Sequence, residues 1–490
     1  MALGGGKFAL PLRRGYAVAS NYPTAADSGR NRFFLPLCKT HGAEHTKEPV
    51  MRLWIGPCSL LLTLCLVGCP SARPTSTPAP SQNQPATKVE LGPPDDSATI
   101  AMLEKAGAKV SLNDAKQVVG VDLSGESLDT VEEANAITDA LAGLKKLQKL
   151  QVYGPEMRDP QIAKLGGLTE LTELQLINSN VRDAGIEHLA GLGKLKSLYL
   201  RRANITDAGL EKLAPLQNLE VLDLRFTNVT NAGMPSVAKL AKLRVLLLEA
   251  TKVGDAGLEP LVGLKNLVKL NLWGDLFTSK AADHIAQMTN LTALEMDDSK
   301  LKDDGMLKLK GLTKLRELSL VRTHVSNVGL VVLQDMPEMR VLQLRDTRAT
   351  DAGLENIAKL TNLTKLDLSE GVFGDDGVKH LAGLKNLEEL NLWKVPVSNE
   401  GLAPITGLTK LKKLNLSESR INDEGVKLLK PLTELEDLNL SQTEITPATL
   451  EQIVEFKKLQ KLSISFCTMI TSDAKEALQK AMPDLKILGP

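Results

Sequence analysis

From residue 147 onward the chain repeats one arrangement of apolar and polar positions. The pattern Leu-x-x-Leu-x-Leu opens at Leu147, Leu171, Leu195, Leu219, Leu243, Leu267, Leu291, Leu315, Met339, Leu363, Leu387, Leu411, Leu435 and Leu459, always 24 residues apart. The alternation x-Leu-x-Leu-x predicts a short strand in each unit, with Leu222 and Leu224 facing inward and Val221, Asp223 and Arg225 outward. A Thr-Asp-x-Gly-Leu turn follows, as at 206–210 and 350–354, and then a short helical stretch such as Leu210 to Leu216. Asp183, Asp207, Asn231, Asp255 and their equivalents stand where a helix N-cap is expected. Inward Thr and Ser, such as Ser179, Thr227 and Thr323, are placed to bond backbone groups at the turn. One such unit cannot bury its own leucines. Stacked units can, so the pattern predicts an α/β solenoid with a concave parallel sheet and short convex helices.

The ends of the array depart from the repeat, as caps do. Residues 97–146 read as an N-terminal cap and atypical first repeat, with a helix from Ser97 to Ala106 and a half-matching strand at Val118-x-x-Val121-x-Leu123. Residues 147–470 are the regular repeats. Residues 471–490 form a C-terminal cap, with a helix from Ser472 to Met482 and a last edge strand within Asp484 to Leu488.

Upstream, the pattern is one of address rather than fold. Arg52 precedes an apolar stretch from Leu53 to Val67 that has the length of a signal-peptide core and is too short to cross a bilayer comfortably. It ends in Leu66-Val67-Gly68-Cys69, which resembles the bacterial lipobox. That resemblance implies that residues 51–68 are removed and that Cys69 becomes the lipidated first residue. The chain is then expected in the cell envelope as a lipid-anchored protein. Pro70 rather than Asp follows the Cys, which favours the outer over the inner membrane. Residues 69–96 hold Pro70, Pro74, Pro78, Pro80, Pro85, Pro93 and Pro94 among small polar residues and read as a disordered tether. Residues 1–50 show no periodicity and read as a gene start placed too early, with Met51 the initiator.

Composition narrows the function. Lys+Arg and Asp+Glu are both 59, so no basic excess marks a nucleic-acid partner. Removing residues 1–68 leaves 51 basic and 56 acidic residues, a net charge of −5. The cysteines then fall to Cys69 and Cys467, which excludes a disulfide framework. His188, His284 and His380 recur every 96 residues, too far apart to share a metal, and His324 lies at a turn without a Cys partner. No catalytic motif or phosphate loop is present. We expect no metal, no cofactor and no enzyme activity.

The repeated Leu-x-x-Leu-x-Leu and Thr-Asp-x-Gly-Leu segments resemble the leucine-rich repeat family over roughly Val118 to the C-terminus. The Thr, Ser and, at 467, Cys at the turn are closer to the ribonuclease-inhibitor-like and cysteine-containing repeat classes than to 22-residue internalin repeats. The resemblance implies a ligand on the concave strand face, most simply a protein. Both Trp downstream of the signal sequence, Trp273 and Trp393, fall in the outward column just after the third Leu, with Arg201, Arg225, Glu249 and Arg345. Tyr199, Arg202 and Phe226 lie beside them. We take Tyr199, Arg201, Arg202, Arg225, Phe226, Glu249, Trp273, Arg345 and Trp393 as the candidate binding residues, because Trp, Tyr and Arg dominate interface hot spots. A glycan or peptidoglycan ligand, stacking on Trp273, Trp393 and Tyr199, is the alternative. An enzyme hidden among outward acids such as Glu295 is a third reading. The unit at Leu267 departs from the pattern, with Phe277, Ser279 and Ala281 in place of the usual Val, Asp and Gly.

Overall fold

The computed structural model describes residues 93–489. They form one open, uncurled sheet of 17 strands with short α- and 3-10 helices behind it. Each strand pairs with the next in chain order. From Val118–Leu123 onward every pairing is parallel, and the repeats align at the predicted offset, with Leu198 beside Leu222 and Leu222 beside Leu246. The regular strands are mostly three residues long, because only x-Leu-x fits between two turns. The inward leucines of all repeats fuse into one continuous core, and Leu222, Leu224, Leu246 and Leu248 are fully buried. The signal sequence, Cys69 and most of the tether lie outside the described residues.

The turn after each strand has two devices. The first is a backbone residue in the left-handed region at Asn178, Arg202, Phe226, Ala250, Asp298, Arg322, Asp346, Glu370, Lys394, Glu418, Gln442 and Phe466, with φ between 51° and 60°. Side-chain-bearing residues usually avoid this region. Here its N–H extends the parallel ladder by one bond, as from Arg202 to Arg225 carbonyl and from Phe226 to Glu249 carbonyl, both 2.9 Å. The second is the inward hydroxyl, which donates to the carbonyl three residues earlier. Thr227 bonds Leu224 at 2.6 Å and Thr323 bonds Leu320 at 2.8 Å, as the sequence predicted. Cys467 takes the same position, and its thiol instead reaches the Leu440 carbonyl at 3.2 Å.

The repeated Asp does not cap its own helix. The N-cap is the residue before it, such as Thr206, whose hydroxyl accepts from Ala208 N–H. Asp183 reaches into the next repeat, accepting from Thr206 N–H at 2.8 Å and from the Thr206 hydroxyl at 2.6 Å. Asp207 does the same to Thr230, and Asp303 to Ser326. The expectation of an N-cap is therefore corrected to an inter-repeat staple. The staple explains the Gly of the same motif. A Cβ at Gly209 would lie 2.5 Å from Asp183 Oδ1, and Gly233 faces Asp207 in the same way. The one residue at this position that carries a hydroxyl, Thr449, donates it to Asp423 at 2.5 Å.

The caps close the two sheet ends. Asp96 caps the helix Ser97–Lys105. A strand not anticipated from sequence, Lys109–Leu112, then pairs antiparallel with Val118–Leu123 and covers its free edge. The helix Val131–Ala142 fills the longer step into the regular array. At the other end the helix Ser472–Ala481 precedes a last parallel strand, Lys486–Leu488.

The staple predicts a change of sign. Gly209→Ala should destabilise the chain by about 1–3 kcal/mol, because the methyl meets the Asp183 carboxylate. In an Asp183→Ala background nothing else crowds that site. There Gly209→Ala should be neutral or stabilising by up to about 1 kcal/mol through helix propensity. Urea unfolding of the four chains of this cycle measures the difference.

Candidate functional site

The candidate residues project from the strand face, held by a ladder that leaves little freedom to the backbone. The structure gathers them into two lateral clusters with Trp273 between. In the first, the guanidinium groups of Arg201 and Arg202 sit 5.3 and 5.1 Å from the centre of the Phe226 ring. Phe226 stands out because it occupies the left-handed position, and it keeps 36% of its surface exposed. Alongside, Arg225 makes a bidentate pair with Asp223, at 2.9 and 2.7 Å, and approaches Glu249 at 3.7 Å.

Outward direction does not mean exposure here. Asp223 is 1% exposed and Glu249 6%, both on the solvent side of the sheet. Arg225 accounts for much of this, since its aliphatic stem and head lie over its partners. Burial pushes the Glu249 carboxyl above its ordinary range, with Arg225 and Arg201 pulling the other way. Burial likewise raises the Tyr199 hydroxyl, with Glu173 adding to it. It also raises Asp297, against the hydrogen bonds from Ser319 hydroxyl and Val321 N–H.

In the second cluster Arg345 lies 5.0 Å from the Trp393 ring centre and Lys394 5.9 Å from it. Trp393 donates its indole N–H to Glu418 at 2.8 Å, while Glu370 pairs with Arg345 at 3.2 Å and with Lys394 at 3.5 Å. Trp273 donates its indole N–H to Asp298, which also receives both Nε and Nη2 of Arg322 at 2.5 Å. Arg322 holds that carboxyl below the usual carboxylate range.

Asp298, Arg322, Glu370, Lys394 and Glu418 were missed by sequence reasoning, and all five sit in the left-handed column. The signal available was their position, one residue beyond the outward column and recurring every 24 residues.

A second feature missed by sequence reasoning lies toward the C-terminus. A groove of about 310 Å³ runs across the strand face from Val341 to Lys461. One wall is a ladder of alternating charge, in which Glu389 bonds Lys365 at 3.1 Å and Lys413 at 2.9 Å, and Asp437 bonds Lys461 at 2.9 Å. Burial works to raise the Glu389 carboxyl, yet the bonds from Lys413 and Lys365 leave it below its ordinary range. The other wall carries Asn391 and Asn415. Their amide oxygens accept from the backbone N–H two residues on, at 3.1 and 3.0 Å. That fixes each side chain with its NH₂ free to donate. Among the described residues no group of three or more His, Cys, Asp or Glu could hold a metal ion.

A stack of parallel strands bearing a continuous leucine core, stapled by side chains from one unit to the next, defines a leucine-rich repeat solenoid. This chain carries leucine-rich repeats. Residues 178–400 match the family model described as a leucine-rich repeat region, and residues 407–430 match one described as a leucine-rich repeat. Among solved structures, a leucine-rich repeat protein of Leptospira interrogans is 19% identical and covers 81% of this chain and 99% of its own, with a TM-score of 0.50. An internalin of Listeria monocytogenes is 21% identical, covering 74% of this chain and 92% of its own, with a TM-score of 0.45. A search of curated proteins returned no match.

The raised Glu249 carboxyl has a consequence for stability. The folded state binds a proton there that the unfolded chain has already released, so this residue's contribution falls as pH rises through its folded value. Glu249→Gln should flatten the decline in thermal midpoint as pH rises above the ordinary carboxylate range, as followed by circular dichroism.

Proposed function

We propose that this chain is a non-catalytic binding protein whose strand face takes a protein partner. Leucine-rich repeat folds commonly serve as interaction scaffolds, and solenoids offer long continuous faces for the purpose. The observation that carries the reading is the prior ordering of the aromatic and cationic side chains. Phe226 lies against Arg201 and Arg202, and Trp393 against Arg345 and Lys394. Both indoles already have their N–H engaged, by Asp298 and by Glu418. Side chains fixed before contact lose little freedom on binding, so more of the contact energy is retained as affinity.

The second reading, a glycan, is favoured by one specific observation. The groove offers the free amide donors of Asn391 and Asn415 on the same strands that precede Trp393 and Ser417. A sugar hydroxyl suits such donors and a ring face suits an indole.

The same proposal places the protein at the cell envelope, held by lipid on Cys69, with the Pro-rich segment 69–96 as a spacer. This rests on the lipobox-like Leu66-Val67-Gly68-Cys69. Cys69→Ala should move the protein from the detergent to the aqueous phase on Triton X-114 partition and abolish incorporation of labelled palmitate. Partition unchanged by the substitution would remove the anchor from the proposal.

The binding test uses the chain from Cys69 as bait against envelope extract of the producing organism, beside a Phe226→Ala/Trp273→Ala variant. Arg225 is left in place, because its loss would strand buried Asp223 and cost roughly 3–5 kcal/mol of stability. We expect a protein recovered by the parent chain and weakened at least about tenfold in the variant, with the unfolding midpoint unchanged. Equal recovery by both baits would remove the central cluster from the interface. Binding that is insensitive to salt and lost in Trp393→Ala would instead favour the glycan.

A further inference from the structure

The staple between repeats takes a different form at one place, where neither an Asp nor an Asn supplies the acceptor. At six joints of the array a carboxylate meets a hydroxyl, in Asp183 with Thr206, Asp207 with Thr230, Asp255 with Thr278, Asp303 with Ser326, Asp375 with Ser398 and Asp423 with Thr446; Asn231, Asn327 and Asn399 supply an amide oxygen at three others. In the unit that begins at Leu267 the pair is Ser279 with Lys302. The acceptor has lost its charge and the donor has gained one. Ser279 still accepts the Lys302 backbone N–H at 3.2 Å, so the fold continues, but the joint lacks its anion.

Around that joint lies an open cavity of about 520 Å³ lined by Ser279, Lys280, Lys300, Lys302, Asp304 and His324. Lys300 is shared with Asp275 at 3.3 Å. Among the described residues the ammonium groups of Lys280 and Lys302 have no ion pair. The single acid, Asp304, is held at the wall by the Ser279 hydroxyl at 2.7 Å and stays ionised, because that bond lowers its pKa. His324 contributes a buried Nδ1 with no hydrogen-bond partner. Three lysines line the cavity with one acid, one of whose oxygens is already engaged by the Ser279 hydroxyl.

We propose that this cavity is a binding site for a tetrahedral oxyanion, a phosphate or sulfate group, which supplies from outside the charge that Asp supplies at most of the other joints. Such a group offers several acceptor oxygens to ammonium donors that come from two successive repeats, Lys280, then Lys300 and Lys302. The site lies at the turns, away from the strand face, so it is independent of the partner-binding reading above.

The fold supplies its own control. Gly305, whose equivalents make room for the Asp carboxylate of the previous repeat, is retained opposite Ser279. Ser279→Asp therefore restores the staple of the other repeats. Calorimetric titration of the full-length chain with inorganic phosphate and with inorganic sulfate, and sedimentation with phosphatidylglycerol against phosphatidylcholine vesicles, test the site. We expect saturable one-to-one binding to at least one of these anionic probes. Ser279→Asp should abolish it with an unfolding midpoint equal to or above that of the parent. Lys280→Ala/Lys302→Ala should weaken it by at least about tenfold. Binding to free phosphate or sulfate would identify a soluble oxyanion, and binding to phosphatidylglycerol vesicles alone would identify a lipid phosphate. Affinity equal in the parent and in folded Ser279→Asp, or no saturable binding to any of the probes, would overturn the proposal.

Discussion

The Asp183 carboxylate occupies the space that a Cβ at residue 209 would need, and the order of the array depends on that exclusion and its repetitions. A 24-residue unit of this kind has too few leucines to form an interior by itself. It becomes stable only when its neighbour is set at the correct height, and the apolar core alone does not fix that height, because one leucine layer resembles the next. The carboxylate does so. It bonds the N–H and hydroxyl of the following turn and requires a bare α-carbon behind it. Three residues separated by up to 26 positions are thereby constrained together, and a slipped register would strand a charge against a hydrophobic layer.

This coupling also explains which parts of the molecule were legible in the sequence. The period of 24, the inward and outward faces and the boundaries of the terminal helices follow from side-chain alternation, so they could be read from one chain. The role of Asp183 could not. A carboxylate at the start of a short helix is equally suited to cap that helix or to cross to the next unit, and only the stacked geometry distinguishes the two. The strand Lys109–Leu112 was missed for a different reason, since its alternation runs over only four residues and they bury almost nothing.

The strand face was partly legible. Outward positions were assigned correctly, and the Trp and Arg among them do cluster. What could not be read was how charge is distributed after folding. Arg225 spends its charge on Asp223, two residues earlier on the same strand, and both Trp spend their donors on acids of the following repeat. The face is consequently less cationic than its residue list suggests. The groove between Val341 and Lys461 was hidden because no single residue in it is distinctive. Its character comes from the order Lys365, Glu389, Lys413, Asp437, Lys461 across strands, an alternation 24 residues apart that local reading passes over.

The left-handed position after each strand bears on how such a chain can change over time. Its backbone is imposed by a ladder bond to the next repeat, and its side chain touches the surface rather than the core. Asn, Arg, Phe, Ala, Asp, Glu, Lys and Gln all occupy it in this one molecule. Selection can therefore exchange residues there, one unit at a time, with little penalty to the scaffold. A scaffold built this way can change its surface chemistry residue by residue while the spacing of its strands stays fixed.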